Sequence, residues 1–163
     1  MDPIQTMSSF KDSVSSVAVK GHQICAGCVD GYVRIFDIRA GEMVADCIGH
    51  PVTCVHFTND GNCVLATCMD DKVRLFDKSN GELLQSYSGH KNSSYKVESC
   101  MTQGDAQVVC GSEDGRILFW DLVEGKELHS LSGHTHVVCG LSPHPNNNSL
   151  LSCSVDGSVI LWE

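Results

Sequence analysis

The stretch SEDGRILFWD, residues 112–121, sets an Asp-Gly pair ahead of a strand-like run that ends in Trp120-Asp121. It returns as CVDGYVRIFD (28–37), CMDDKVRLFD (68–77) and SVDGSVILWE (154–163). Aligned on Phe36, Phe76, Trp120 and Trp162, the copies stand 40, 44 and 42 residues apart. A period near forty is the mark of a repeat architecture. Between copies lies a second landmark, Gly49-His50, Gly89-His90 and Gly133-His134.

Each unit reads as four short strands. In the third, these are GELLQSY (81–87), YKVESCM (95–101), VVCGS (108–112) and RILFWD (116–121), all rich in β-branched, aromatic or leucine residues and bounded by turn residues. No segment carries apolar residues at helical spacing for three turns, and glycines interrupt every unit, so the chain reads as all-β. Asp-Gly between strands suits a tight hairpin whose central residues need positive φ, which glycine accepts at little steric cost. Asp71 replaces that glycine in the second copy, and Asp tolerates the left-handed region better than most residues.

The chain has 163 residues, 42% of them hydrophobic and 19% charged, the composition of one soluble globular domain. Its apolar runs are too short to span a membrane, and MDPIQTMSSFK lacks the basic start and apolar stretch of a secretory signal. An intracellular, cytoplasmic location is therefore expected. Eleven basic residues against 20 acidic give a net charge of −9, which disfavours nucleic acid or an anionic membrane as direct partner. Ten cysteines are scattered singly and read as reduced, mostly buried thiols. Cys25 and Cys28 have CxxC spacing, but in an extended run they point to opposite faces, and no further Cys/His pair completes a zinc set. No phosphate-cradling glycine loop is present, so no cofactor is expected.

Four-stranded units with GH and WD landmarks resemble the WD-repeat β-propeller family, over the full length of the chain. The resemblance implies a fold of about four antiparallel blades, divided near residues 11–48, 49–88, 89–132 and 133–163. It also implies a buried tetrad per blade in which Asp accepts from imidazole, imidazole engages a hydroxyl, and the hydroxyl accepts from the indole N–H. Carried onto this chain, two tetrads are complete: His90, Ser112, Asp114 and Trp120, then His134, Ser154, Asp156 and Trp162. The second unit keeps His50 and Asp70 but has Cys68 and Phe76; the first keeps Asp30, with Cys28, Phe36 and no GH. His, Ser and Asp together also evoke a hydrolase triad, but there is no GxSxG elbow and the Trp accounts for the hydroxyl without chemistry. The chain is expected not to be an enzyme.

PIQTMSSF at the N-terminus reads as an outer strand, residues 3–10, without a blade of its own, while the last unit ends without one. Joining the two would complete the fourth blade and close a four-bladed ring. The alternative is a portion of a larger propeller, favoured by the family's habit of seven blades, whose end faces would expose apolar surface and promote self-association.

The runs DSVSSV, GELLQSYSGHK, GSEDGRILFWDLVEGK and PVTC followed by NDGNC are similar to the C-terminal half of the mitogen-activated protein kinase organizer family, also called WD repeat domain 83-type proteins. That resemblance implies a scaffold for kinases of a mitogen-activated cascade, with a second association with the pre-mRNA splicing machinery, and hence the nucleus as well as the cytoplasm. Recognition is expected on loops at the blade rims. One rim gathers Val29, Met69, Glu113 and Val155 with Lys91, Asn92, Thr135 and His136. The opposite rim carries the loop HPNNNS (144–149) and the Asp37-x-Arg39 pair. That pair resembles the box by which some WD-repeat proteins dock onto a cullin-RING ubiquitin ligase adaptor, which makes a ligase substrate receptor the competing function.

Overall fold

The computed structural model describes residues 3–163, which form four consecutive antiparallel sheets, the blades of an all-β propeller. The first sheet holds β1 (Val14–Lys20), β2 (Gln23–Cys28), β3 (Tyr32–Asp37) and β4 (Glu42–Cys47). The second holds β5 (Val52–Phe57), β6 (Cys63–Cys68), β7 (Lys72–Asp77) and β8 (Leu83–Ser88). The third holds β9 (Ser99–Met101), β10 (Gln107–Gly111), β11 (Arg116–Asp121) and β12 (Glu127–Ser132), with one 3-10 turn at Gln103–Asp105. The fourth has three strands, β13 (Val138–Pro143), β14 (Leu150–Ser154) and β15 (Val159–Trp162).

The turn that opens each second hairpin uses the left-handed region at one position. Gly31, Gly115 and Gly157 have φ of 84°, 84° and 82°, and Asp71 takes 59°. The residues before them, Asp30, Asp70, Asp114 and Asp156, stay at negative φ, so positive φ is confined to the residue after the Asp rather than shared between both central residues. In the glycine turns that residue donates its N–H to the carbonyl three positions back, Cys28, Ser112 or Ser154.

Three apolar clusters lie between the four blades. Cys25, Val33 and Ile35 meet Val55 and Val64 between the first and second. Leu65, Val73 and Tyr87 meet Val108, Leu118 and Trp120 between the second and third, and Ile117 and Phe119 meet Leu150 and Trp162 between the third and fourth. The blades approach closely enough that a Cβ on Gly111 would lie 2.3 Å from the Val138 carbonyl oxygen. Hydroxyls at the innermost strands stitch neighbours: Ser15 donates to the Val52 carbonyl, and Thr53 donates to the Val97 carbonyl at 3.1 Å. No fourth cluster joins the last blade to the first among the described residues, so the described chain is an arc of blades with two free faces.

Two strand expectations change. Residues 3–10 form no strand and do not complete the fourth sheet. The predicted strand 95–101 shortens to Ser99–Met101, because the backbone N–H groups of Ser93, Ser94 and Tyr95 turn to the Glu113 carboxylate, at 2.6 to 2.9 Å, instead of entering a ladder.

Candidate interaction surface and the buried polar tetrads

The last blade builds a four-membered network, with one member changed. His134 Nδ1 lies 3.2 Å from Asp156 Oδ2 and 2.9 Å from Ser158 Oγ; its Nε2 lies 2.7 Å from Ser152 Oγ. Trp162 donates its indole N–H to the same Ser152 Oγ at 2.8 Å. The relay hydroxyl is therefore Ser152, not Ser154. Register decides this: Leu150 pairs with Trp162 and Ser152 with Ile160, so Ser152 is the diagonal neighbour of the indole, whereas Ser154 sits one pleat further toward the turn. Ser154 instead donates to the His136 carbonyl at 3.1 Å and accepts from the Asp156 N–H at 3.1 Å. Hydrogen bonds from Ser158, foremost, and from the Thr135 N–H hold the Asp156 carboxyl well below the usual carboxylate range.

In the third blade the tetrad does not form. The position of Ser152 is occupied by Cys110, which is fully buried, and burial pushes its thiol far up. Trp120 donates to the Ser88 carbonyl at 3.0 Å, Ser112 accepts from the Lys91 N–H at 2.9 Å, and Asp114 pairs with Arg116 at 2.8 Å. His90 is left edge-on to Trp120, 5.8 Å between centroids, buried with neither ring nitrogen hydrogen-bonded. Desolvation pulls its pKa down to about 4, so the ring is neutral.

The first two blades replace the histidine by arginine as partner of the turn Asp. Asp30 accepts both Arg34 Nη1 (3.1 Å) and Nη2 (2.8 Å), with further N–H donors from Lys11 and Tyr32. The pair is almost wholly buried, and the Arg34 hydrogen bonds, above all, hold the Asp30 carboxyl far below the carboxylate range. The guanidinium lies over Phe10 at 5.1 Å and Tyr32 at 4.9 Å. Asp70 is held in the same two-pronged way by Arg74, while His50 stands half exposed at 3.6 Å. Phe10 also packs on Phe36 at 5.9 Å, close to the His90–Trp120 and His134–Trp162 spacings of 5.8 and 6.4 Å. Phe10 thus stands where the other blades carry histidine. The signal for it is the register of IQTMSSFK (4–11) against LQSYSGHK (84–91).

On the first rim, Val29 and Val155 are exposed, as are Lys91, Thr135 and His136, while Met69 is half-buried. Val29, Met69, Glu113 and Val155 are placed alike, each donating its N–H to a carbonyl that precedes the inner strand of its own blade. Asn92 does not belong to the rim. It is fully buried, donating to the Cys68 carbonyl at 3.0 Å and, through its backbone, to Asp71 at 2.6 Å, because the loop after His90 folds inward. Glu113 is committed to the 93–95 loop. On the opposite rim, Asp37 caps its own turn, accepting from the Arg39 and Ala40 N–H groups at 2.9 and 3.0 Å, as Asp121 does for Val123 and Glu124. The Arg39 side chain is exposed beside it. Cys25 lies in the core facing the second blade, with burial raising its thiol to about 12, whereas Cys28 donates to the Asp12 carbonyl at 3.3 Å.

The comparisons agree with this geometry. The structure superposes on a computationally designed protein, Ika4, with a TM-score of 0.80 at 24% identity, over 99% of this chain and 98% of the other. A second designed protein, Ika8, matches at 0.77 and 27%, over 92% of this chain and 45% of that one. Among curated relatives, WD repeat domain-containing protein 83 of Xenopus tropicalis is 53% identical over 161 residues, and that of Homo sapiens 46%; each match spans 99% of this chain and 51% of the relative. The Dictyostelium discoideum homolog is 30% identical over 191 positions, covering 59% of its length. The chain spans about half the length of the curated relatives it matches. The model of the WD domain, G-beta repeat, matches residues 1–37, 41–77, 81–121 and 125–163, and the chain belongs to that WD40 family.

Proposed function

We propose that this chain is a non-catalytic protein-interaction scaffold whose recruiting surface is the rim formed by the histidine loops and the Asp turns. The observation that carries this is the fate of the reactive side chains. His134, Ser152, Asp156, Asp30 and Asp70 are each paired inside a blade, whereas Lys91, Thr135, His136, Val29 and Val155 are exposed at one end. Rigid sheets with adaptable loops above them are the physical form of a docking platform. WD40 membership supports protein partners.

The finer reading is an organizer of a mitogen-activated protein kinase cascade that also engages the splicing machinery, acting in cytoplasm and nucleus. It is supported by the similarity to WD repeat domain-containing protein 83. A combined Lys91→Glu, Thr135→Asp, Val155→Asp variant tests it against purified cascade kinases and purified splicing components. Binding by the wild-type chain, lost in this variant and kept in Arg39→Ala, is the expected result. Absence of binding by the wild-type chain, or retention by the rim variant, overturns the assignment.

A further inference from the structure

The fourth blade has an unpaired edge, and the chain carries a strand cut to fit it. Among the described residues β15 pairs with β14 alone, so its outward backbone N–H and C=O groups have no ladder partner there. Such an edge is a template for an added strand. Beside it, between the third and fourth blades, lies a groove of about 420 Å³ lined by Phe119, His129, Leu131, Pro143, Leu150 and Trp162.

Residues 4–8, IQTMS, align without a gap on the outer strand LQSYS (84–88), and the first family match begins at residue 1, ahead of the first blade's inner strand. Yet residues 3–9 form no ladder and make no hydrogen bond to another described residue, and Ile4 is fully exposed. Their far end is anchored. Phe10 packs on Phe36, and the Lys11 N–H reaches Asp30, on the free face of the first blade. In the other blades this anchor leads back into the outer strand of the neighbouring blade: Ser88 accepts from Trp120, and Tyr87 reaches the Leu122 carbonyl. The segment is therefore held ready for a blade seated on the first blade's free face, where Val17 and Val19 are 60% and 66% exposed. The fourth blade has a matching apolar face, with Leu151, Val159 and Leu161 at 44%, 69% and 58%.

We propose that the occupant is a second copy of this chain: residues 3–9 of one protomer become the outer strand of the partner's fourth blade, and reciprocally. The two free faces of each arc then meet the two of the other through identical seams about a twofold axis, which closes the assembly. By analogy with Gln85 opposite Leu75, Ser86 opposite Arg74 and Tyr87 opposite Val73, the register places Gln5 opposite Leu161, Thr6 opposite Ile160 and Met7 opposite Val159.

The test is the solution mass of the 163-residue chain, with amide exchange of residues 5–9 and 159–162. A dimer in which both segments are protected is expected. Ile4→Asp, which alters a fully exposed side chain, and removal of residues 1–9 should both shift it to monomer and expose 159–162, while Ile38→Asp on the opposite rim should not. A wild-type chain that stays monomeric at the highest soluble concentration overturns the proposal, whether or not residues 5–9 are protected within it. So does a dimer that neither N-terminal change weakens.

Discussion

Ser152 Oγ stands between His134 Nε2 at 2.7 Å and the Trp162 indole nitrogen at 2.8 Å, and is the only hydroxyl bridging the two rings among the described residues. His134 and Ser152 are buried and Trp162 is half-buried, and a buried donor that loses its acceptor keeps its full desolvation cost. Ser152→Ala is therefore expected to lower unfolding stability by about 1–3 kcal/mol. Ser154→Ala, which removes the contacts to the His136 carbonyl and the Asp156 N–H near the turn, should cost less, about 1 kcal/mol. Urea denaturation of the two variants checks the order; equal losses would return Ser154 to the tetrad.

Ser152 was hidden in the sequence for a definite reason. Residues 152 and 154 fall on the same face as Trp162, and only the pairing of Leu150 with Trp162 tells which is the neighbour. The period, the Asp turns and the Trp positions were legible because each is fixed by local backbone demands. Arg34 and Arg74 were not: an Asp-to-Arg spacing of four across a hairpin has no periodic signature. Asn92 looked like a rim residue because loop residues usually are, and its inward turn depends on Thr53 and Cys68, far away in sequence. Residues 3–10 read as an outer strand in the sequence but form none among the described residues, because a strand needs an edge to pair with and local sequence does not show whether one is offered.

Cys110 occupies in the third blade the place of Ser152 in the fourth, opposite Leu118 as Ser152 is opposite Ile160. Cys110→Ser puts a hydroxyl at the position that Ser152 holds in the fourth blade, in a unit whose imidazole has no hydrogen-bond partner. The change is near-isosteric and offers one buried hydrogen bond to His90, because the Trp120 indole already donates to Ser88, so a gain of about 1 kcal/mol is expected in the same urea assay. A loss would show that His90 and position 110 are not aligned as their counterparts are.

Arg34 neutralises a carboxylate that burial would otherwise punish. Arg34→Met leaves Asp30 in place with two N–H donors and no countercharge, which should cost about 3–5 kcal/mol. Adding Asp30→Asn should recover much of that loss, because the uncompensated charge is gone. If the double variant is no more stable than the single one, the stacking of the guanidinium on Phe10 and Tyr32 matters more than its charge.

His90 gives the fold an acid-sensitive element. Its folded-state pKa of about 4 lies below the ordinary 6.5, the result of desolvation. Between those values the unfolded chain binds a proton that the folded chain refuses, so stability is whole above pH 6.5 and falls as pH drops toward 4. His56, at an exposed position of β5 but with its ring partly desolvated, is lowered in the same direction. The His90 share is on the order of 3 kcal/mol across that window. His90→Phe copies the aromatic that the first blade uses at Phe10, and it should flatten the slope of stability against pH between 7 and about 4.5 while leaving the His56 part. Thermal melts of both proteins at several pH values read this directly. An unchanged slope would mean that His90 opens to water, or gains the Asp114 carboxylate from Arg116, before it must charge.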